Sequence, residues 1–341
     1  MKKKYLKEVI YNQLLERITK KTEKKIRITA IIAAFNEEDI IGHVLEHFIS
    51  KGIKVYFIDH HSTDNTLEQA KKFKGKGVIG IETFPEESGY PSNFKDIYAW
   101  RYILKRKEEL HKILGADWYL HMDADAIVES PWEDVPISAA IQLVDALGYN
   151  CINFELFNFR PVTDKYKGDI KPQDFFKYWE PADSFDELQI KCWKNFGQKI
   201  DLVSSGGHNV QFKEKKVFPI KFIMRHYPIR SKVHGVEKIF SERLPRLDIK
   251  ERRKGWHRQY NQYLDGKDIE FNKKNLLNYD DKIVKEVYLP LISCFNILDE
   301  KNRVIKDKEQ QIRSIYSSRT WKVGRIAIAP WRFIKGIFKK F

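Results

Sequence analysis

The apolar positions in the first 130 residues follow two alternating spacings. Short continuous apolar runs have the length of buried strands, and between them apolar residues recur every three or four positions, as on one face of a helix. The runs are Ile28–Phe35, Val55–Ile58, Val78–Ile81 and Trp118–Met122, and the helical spacings cover Ile40–Phe48, Leu67–Phe73 and Asn93–Leu114. Strands that alternate with helices predict an α/β fold built on a mainly parallel sheet.

Polar residues follow three of these strands at the point where each strand ends. Asn36 follows the first strand, Asp59 begins the loop after the second, and Asp123 and Asp125 follow the fourth. Ligands of open α/β sheets bind beyond the carboxyl ends of the strands, so the three clusters are expected to meet in one crevice. Asn36 is also expected to cap the next helix, because its side chain can accept from free backbone N–H groups.

The pair Asp123 and Asp125 is the strongest candidate for chemistry. Two carboxylates one residue apart at an open strand end suit a hard divalent cation that also binds a diphosphate. The alternative is that both are ordinary turn residues. The two polar clusters upstream favour the metal site over that alternative.

Three motifs, in chain order, resemble the nucleotide-sugar-binding half of a family 2 glycosyltransferase with the GT-A fold. They are Phe35-Asn36-Glu37-Glu38, Asp59-His60-His61-Ser62-Thr63-Asp64-Asn65-Thr66 and Asp123-Ala124-Asp125. The resemblance covers about residues 28–130. A looser similarity to a bacterial subgroup continues in Ser205-Gly206-Gly207-His208-Asn209, Arg225-His226-Tyr227-Pro228-Ile229-Arg230-Ser231 and Gly255-Trp256-His257.

The resemblance implies a role for each matching residue. The donor nucleotide would be contacted by Phe35, Asn36, Glu37, Asp59, Asp64 and Asp123. A divalent cation, Mn²⁺ or Mg²⁺, would be held by Asp123, Asp125 and His226. The acceptor or the phosphates would be contacted by His208, Arg230, Trp256 and His257.

The activity implied is metal-dependent transfer of a sugar from a nucleotide-diphosphate donor to a hydroxyl of a glycan or lipid-linked acceptor, with inversion. An inverting transfer needs a carboxylate base for the acceptor proton. The family's usual Glu-Asp pair is not visible after Gly207, and Ala126 stands where many relatives have an acid. The nearest clustered carboxylates are Asp186 and Asp183, and either is a candidate base.

Two other functional classes stay open. A catalytically silent glycan-binding or scaffold protein of the same fold would also lack the Glu-Asp pair. A sugar nucleotidyltransferase would need a glycine-rich basic loop after the first strand, where this chain has an acidic one.

His43 and His47 match an inverted zinc-peptidase pattern, but they are interpreted as histidines at the edge of an apolar helix face. Gly206 and Gly207 could belong to an acceptor or donor contact, and they could equally mark a bulge or a close backbone approach.

The positive charge is concentrated at the two ends of the chain. The formal net charge is +15; residues 1–27 carry ten Lys/Arg against three Glu, and residues 319–341 carry seven and no acid. The body between them is close to neutral, whereas a nucleic-acid-binding protein usually carries its basic stripe on the folded body. Basic ends favour an anionic membrane surface as the partner.

The C-terminal segment has the pattern of a helix that lies in a membrane interface. Trp331, Ile334, Phe338 and Phe341 recur at spacings of three and four residues, and cations flank them. Such a face edged by Lys and Arg is typical of interfacial helices. A terminal helix packed on its own domain is the alternative.

The predicted organisation has four parts. They are a basic helical segment at 1–27, a GT-A domain at 28–270, a helical extension at 271–318 and a basic amphipathic tail at 319–341. No apolar run has the length of a transmembrane helix, and no secretory signal is recognised. The three cysteines are scattered without metal spacing. The expected location is the cytoplasm, peripheral on the inner face of the cytoplasmic membrane, with a role in cell-surface polysaccharide synthesis.

Overall fold

A computed structural model describes residues 25–86, 97–98, 100–181, 186–253, 256–257, 260–264, 269–294, 305–311 and 314. The chain forms two compact units, which divide between Leu289 and Pro290. In the second unit, the described residues 290–294, 305–311 and 314 are helical. The predicted tail at 319–341 and residues 1–24 of the predicted N-terminal segment lie outside the described residues.

A six-stranded sheet forms the first half of the larger unit. Its strands are β1 (Ile28–Ala34), β2 (Lys54–Asp59), β3 (Val78–Thr83), β4 (Trp118–Asp123), β6 (Cys151–Ile152) and β9 (Cys192–Lys194). Their order is β3-β2-β1-β4-β9-β6. The first four strands are parallel, as the alternation of strands and helices predicts, whereas β9 is antiparallel to both β4 and β6.

A second sheet of five strands continues from the Asp-x-Asp turn. Its strands are β5 (Ala126–Glu129), β7 (Phe154–Phe159), β8 (Tyr178–Pro181), β10 (Phe222–His226) and β11 (Leu277–Asn278). Their order is β11-β8-β7-β10-β5. Because β10 pairs with β5 so that His226 lies opposite Ala126, the end of β10 stands beside the Asp-x-Asp turn.

Helices accompany both sheets. The α-helices are α1 (Ile41–Ser50), α2 (Thr66–Lys71), α3 (Trp100–Ile113), α4 (Ile137–Ala146), α5 (Pro172–Phe175), α6 (Lys232–Val236), α7 (Ile249–Arg253), α8 (Asn261–Leu264) and α9 (Asp281–Ile283). Among the described residues, Glu237–Arg243 and Val284–Tyr288 are π-helical, and Val203–Ser205, Leu244–Arg246 and Lys273–Asn275 are 3₁₀-helical. The prediction of an α/β fold with sheets flanked by helices is confirmed.

The core follows the predicted apolar pattern. Every residue of β1 is buried, and α1 buries the residues at three- and four-residue spacing, Ile41, Val44, Leu45 and Phe48. A cluster of buried side chains joins β1 and β2 to α3 and β9, through Ile31, Ile58, Leu104 and Trp193 among others. Burial on both faces is what gives a parallel strand its continuous apolar run.

The prediction that Asn36 caps the following helix is wrong. The helix begins five residues later, at Ile41, and its N-cap residue Ile40 makes no side-chain cap hydrogen bond. Asn36 instead has a left-handed backbone, with φ of 51°, a conformation that asparagine tolerates better than most residues. Its side chain is therefore free to bond elsewhere.

Within the described residues, none of the helices combines the length and the apolar character needed to cross a bilayer.

Candidate functional site

A cavity of about 380 Å³ opens at the carboxyl ends of β1 and β4. Many of the predicted site residues line it, from both halves of the larger unit: Phe35, Glu37, Asp123, Asp125, Asp186, His208, His226, Trp256 and His257. In the register of the sheet, Asp59 lies opposite Ala34 and Asp123 opposite Ala33, so the strand ends are level. The level ends bring the acidic residues after β1 and β4 to one cavity.

Asp123 is held by a lysine from the antiparallel part of the sheet. Its Oδ2 accepts from Nζ of Lys191 at 2.7 Å, and the Lys191 side chain is only 6% exposed. Burial alone would raise the pKa of Asp123, but Lys191, His121 and Lys107 together outweigh burial and hold that pKa well below its usual range, with Lys191 contributing most. Asp123 is therefore ionised and already paired.

Asp125 and Glu37 share a second lysine. Nζ of Lys238 donates to Oε1 of Glu37 at 2.7 Å and to Oδ2 of Asp125 at 2.9 Å. All three side chains are buried. Burial opposes ionisation of Asp125, but Lys238, with His226 and Arg230, keeps the pKa of Asp125 well below its usual range. A buried lysine thus joins the turn after β4 to the loop after β1.

Arg230 is buried in ion pairs within the protein and does not line the cavity. Its guanidinium forms a bidentate contact with Asp39, at 2.7 and 2.6 Å, and lies 2.7 Å from Oε2 of Glu37. The side chain is 1% exposed. The expectation that Arg230 contacts acceptor or phosphate does not agree with this arrangement, because its donors are used within the protein.

His226 is oriented toward Asp125. Its Nδ1 lies 2.8 Å from Oδ1 of Asn158, and its Nε2 lies 3.4 Å from Oδ1 of Asp125. A ring fixed through its other nitrogen is the usual arrangement of a metal-binding histidine. An imidazole and a carboxylate fit a divalent cation that takes its other ligands from phosphates and water.

A complete protein cage for a metal is not present in the described part of the chain. No group of three or more His, Cys, Asp or Glu side chains is placed to hold an ion there. Of the three predicted ligands, Asp125 and His226 face each other, but Asp125 also bonds to Lys238 and Asp123 bonds to Lys191. The residues therefore fit an ion bound together with a diphosphate better than an ion bound alone.

Asn36, Asp59 and Asp64 do not line the cavity but fix the loops behind it. The Asn36 amide donates to Oε1 of Glu242 at 2.6 Å, and its Oδ1 accepts from the N–H of Thr63 at 2.8 Å. Asp64 accepts from the backbone of Glu38 at 3.1 Å, which interlocks the loops after β1 and β2. Asp59 is 1% exposed, and burial raises its pKa.

Asp186 stands beside His208 on the cavity wall. Oδ1 of Asp186 is 3.3 Å from Nδ1 of His208, and the amide of Gln189 contacts the same nitrogen at 3.0 Å. Burial and the charge of Lys191 lower the pKa of His208, so its imidazole is neutral at pH 7. Asp183, the other candidate base, lies outside the described residues.

Gly206 and Gly207 form a close backbone approach beside the site. Both have left-handed backbones, with φ of 64° and 93°. A Cβ on Gly207 would lie 2.6 Å from Nε2 of His121 and 3.0 Å from Cδ2 of Leu104. The interpretation as a close approach therefore holds for Gly207, which only glycine fits.

Trp256 and His257 line the cavity near an aromatic group. Nε2 of His257 donates to Oε2 of Glu251 at 2.9 Å, and the His257 ring lies 5.3 Å from the ring of Tyr98. Tyr98 in turn stacks on Trp100 at 5.9 Å. This wall offers flat faces on which a base or a sugar ring could pack.

His43 and His47 are not a metal pair. Nε2 of His43 donates to the carbonyl of Gly168 and Nε2 of His47 to the carbonyl of Val128, each at 2.9 Å. Both lie at the partly buried edge of α1, as interpreted from the sequence.

The sequence prediction missed several residues of the cavity. Besides Lys191, they include His60, whose pKa burial lowers to about 3. Lys238 and Arg243 also line the cavity, from a basic run whose residues are mostly expected to be solvated. The alternation of β9 could have placed Lys191, which precedes the strand, on the face of the sheet that meets Asp123. No comparable pattern marks Lys238 and Arg243, because they lie on a π-helix.

Comparisons with known proteins agree with the motifs. Residues 29–97 match the family described as "Glycosyl transferase family 2". No curated protein matches the chain. The chain thus has its recognised family region around β1 to β3.

Two solved structures are similar at low identity. S. aureus TarS 1-349 is 13% identical with a TM-score of 0.36, and the match covers 60% of this chain and 61% of that one. S. aureus TarS 1-349 in complex with UDP is 16% identical with a TM-score of 0.37, with the same coverage of both chains, 60% and 61%. The chain thus spans about three fifths of these neighbours. Residues 29–97 match the model of glycosyl transferase family 2, which confirms the resemblance seen in the motifs.

Proposed function

We propose that the chain transfers a sugar from a nucleotide-diphosphate donor, bound in the cavity, to a hydroxyl of a glycan or lipid-linked acceptor. The single observation that carries this proposal is the convergence of Glu37, Asp123 and Asp125 on one cavity at the ends of β1 and β4. The same cavity reaches aromatic and imidazole side chains of the second half of the domain. A site of this kind suits a polar donor with a flat base.

Asp125 and His226 would hold a divalent cation, Mn²⁺ or Mg²⁺, together with the donor phosphates. When bound, the ion would act as a Lewis acid on the diphosphate. His226 is supported in this role by the hydrogen bond of Nδ1 to Asn158. Asp123, paired with Lys191, would contact the donor ribose.

Asp186 and His208 would supply the base. A neutral His208 imidazole next to the Asp186 carboxylate can take the proton of the acceptor hydroxyl. The acceptor oxygen then bonds to the anomeric carbon from the face opposite the leaving group, while the bond from that carbon to the phosphate oxygen breaks. This displacement inverts the configuration.

A catalytically silent glycan-binding protein is the second candidate function. It is favoured by one observation, the pairing of both carboxylates of the Asp-x-Asp turn with Lys191 and Lys238. In that case the cavity would bind sugar without breaking a bond.

Donor hydrolysis separates the two functions. The full chain is incubated with a panel of UDP- and GDP-linked sugars in Mn²⁺, Mg²⁺ or EDTA, and the released nucleotide is measured. A transferase hydrolyses at least one donor slowly without acceptor, and EDTA suppresses that hydrolysis. A chain that releases no nucleotide from any donor but still binds glycan would support the silent protein.

We place the reaction at the inner face of the cytoplasmic membrane, in cell-surface polysaccharide synthesis. The support is the charge of residues 319–341, which include seven Lys/Arg and no acid. A basic tail with an aromatic face would keep the catalytic domain near a lipid-linked acceptor.

A further inference from the structure

Two nitrogens of the buried Arg243 guanidinium have no hydrogen-bond partner in the described part of the chain. Its side chain lines the cavity, and the residue is 8% exposed. Nε and Nη1 make no hydrogen bond within the described residues. Buried N–H groups without an acceptor are costly, so an anion bound at Nε and Nη1 would stabilise this side chain.

The other cations on the cavity wall are already neutralised. Lys191 pairs with Asp123, Lys238 with Glu37 and Asp125, and Arg160 with Glu180. Of the Lys and Arg side chains that line the cavity in the described ranges, only Arg243 forms no ion pair with a carboxylate. Its charge is therefore available to an anion.

The guanidinium of Arg243 is held in place before any ligand binds. It lies over the ring of Tyr98, 4.1 Å from the centroid. Its π-helix is anchored at both ends, because Lys238 bonds to Asp125 and Glu242 accepts from Asn36. Insertions of π-helix are frequent at functional sites, where they redirect side chains. A preformed donor loses little freedom on binding.

We propose that Arg243 binds the phosphate groups of the nucleotide-sugar donor directly, independently of a metal ion. This inference rests on the proposed function. A guanidinium presents two parallel N–H groups that match two phosphate oxygens, and it stays charged at any working pH. Tyr98, beneath it, fixes the plane of the fork.

Arg243 also acts on the reaction through the leaving group. The acceptor oxygen forms a bond to the anomeric carbon, its proton passes to the base, and the electrons of the broken carbon–oxygen bond stay on the diphosphate. The nucleoside diphosphate therefore gains one negative charge, and a fixed cation stabilises that charge where it develops.

Nucleotide binding in EDTA tests the assignment. Calorimetric affinities of UDP, uridine, GDP and guanosine are measured for the full chain, for Arg243→Gln and for Arg243→Lys. The matched control is Arg252→Gln, since Arg252 is exposed on the neighbouring helix α7. Thermal unfolding of each variant reports on folding.

We expect the wild type and Arg252→Gln to bind a nucleoside diphosphate more tightly than its nucleoside. Arg243→Gln should lose about tenfold or more of that preference, the usual range for a charge-assisted hydrogen bond, with nucleoside affinity unchanged. Arg243→Lys should recover the charge but not the fork, and so part of the preference. If Arg243→Gln does not fold, Arg243→Lys tests the proposal, because it should still lose part of the preference for the diphosphate over the nucleoside.

The outcomes separate this inference from the proposed function. A wild type that prefers the diphosphate, with the same preference in Arg243→Gln and Arg243→Lys, overturns the role of Arg243 and leaves the transferase proposal intact. A wild type that binds none of the four compounds, with or without Mn²⁺, overturns both.

Discussion

Nζ of Lys238 lies 2.9 Å from Oδ2 of Asp125, and both side chains are buried. The pair joins the π-helix Glu237–Arg243 to the turn between β4 and β5. Because the same lysine also bonds to Glu37, one cation sets the spacing of two carboxylates at the cavity. This arrangement gives Lys238 a larger role in stability than a surface lysine would have.

Replacing Lys238 by methionine should therefore destabilise the domain. The substitution leaves Asp125 buried next to His226 without its main cation, and breaking a buried ion pair from one side costs about 3–5 kcal/mol. Urea unfolding measures the change. Lys71→Met is the control, since Lys71 is 50% exposed in its pair with Glu68 and should change stability by less than about 1 kcal/mol. Equal effects of the two substitutions would contradict this account.

The contact of Asp186 with His208 predicts a specific change in the pH profile. Burial lowers the pKa of His208 and the Asp186 charge partly raises it again. If neutral His208 takes the acceptor proton, kcat/KM falls as the imidazole becomes protonated, below pH 6.5, its ordinary pKa. Asp186→Asn should reduce kcat and move this acid limb to lower pH, because the pKa of His208 falls when the negative charge of Asp186 is removed.

His208→Gln tests the same pair from the other side. It should lower kcat and remove the acid limb while donor affinity stays the same. An Asp186→Asn enzyme with no residual activity, together with a fully active His208→Gln, would instead assign the base to the carboxylate alone.

Two glycines form a matched pair for stability. Gly207→Ala would place a methyl group 2.6 Å from Nε2 of His121 on a backbone with φ of 93°, so it should destabilise by about 2 kcal/mol. Gly42→Ala lies in α1 with nothing within 4 Å of the new Cβ. It should stabilise by up to about 1 kcal/mol, because alanine is the better helix former. Thermal unfolding of both variants decides the point, and similar shifts would refute the close approach.

The strands around the site could be predicted because their burial is local. Each residue of β1 is buried, so the run reads as a strand without knowledge of its neighbours. The level ends of β1, β2 and β4 then follow from the rules of parallel sheets. The prediction for Asn36 is wrong because it uses local position alone. The position suits a helix cap, but the partner Glu242 is 206 residues away and nothing local indicates it.

The ion pairs of the cavity could not be predicted from spacing. Lys238 is 201 residues from Glu37 and 113 from Asp125. In the sequence it belongs to a basic stretch that resembles a solvated surface. Only the packing of the π-helix against the Asp-x-Asp turn distinguishes Lys238 and Arg243 from their exposed neighbours.

The C-terminal tail gives a prediction that does not depend on the cavity. Full-length protein should float with vesicles that contain phosphatidylglycerol, and less with phosphatidylcholine alone or at high salt, because seven cations lie in residues 319–341. A chain that ends after Ser318 should stay in the soluble fraction. Equal flotation of the two proteins would rule out the tail as the membrane contact.

The most direct test of the donor site compares Asp125→Asn with Asp169→Asn. Asp125 lines the cavity and faces His226, whereas Asp169 is exposed in a loop outside it. Calorimetry with UDP and GDP in Mn²⁺, together with donor hydrolysis, is carried out on both variants and on the wild type. The account predicts that Asp125→Asn loses at least about tenfold in nucleoside diphosphate affinity and most of its hydrolysis, and that Asp169→Asn behaves as wild type. Unchanged affinity and hydrolysis in a folded Asp125→Asn would contradict the assignment of this cavity to the donor.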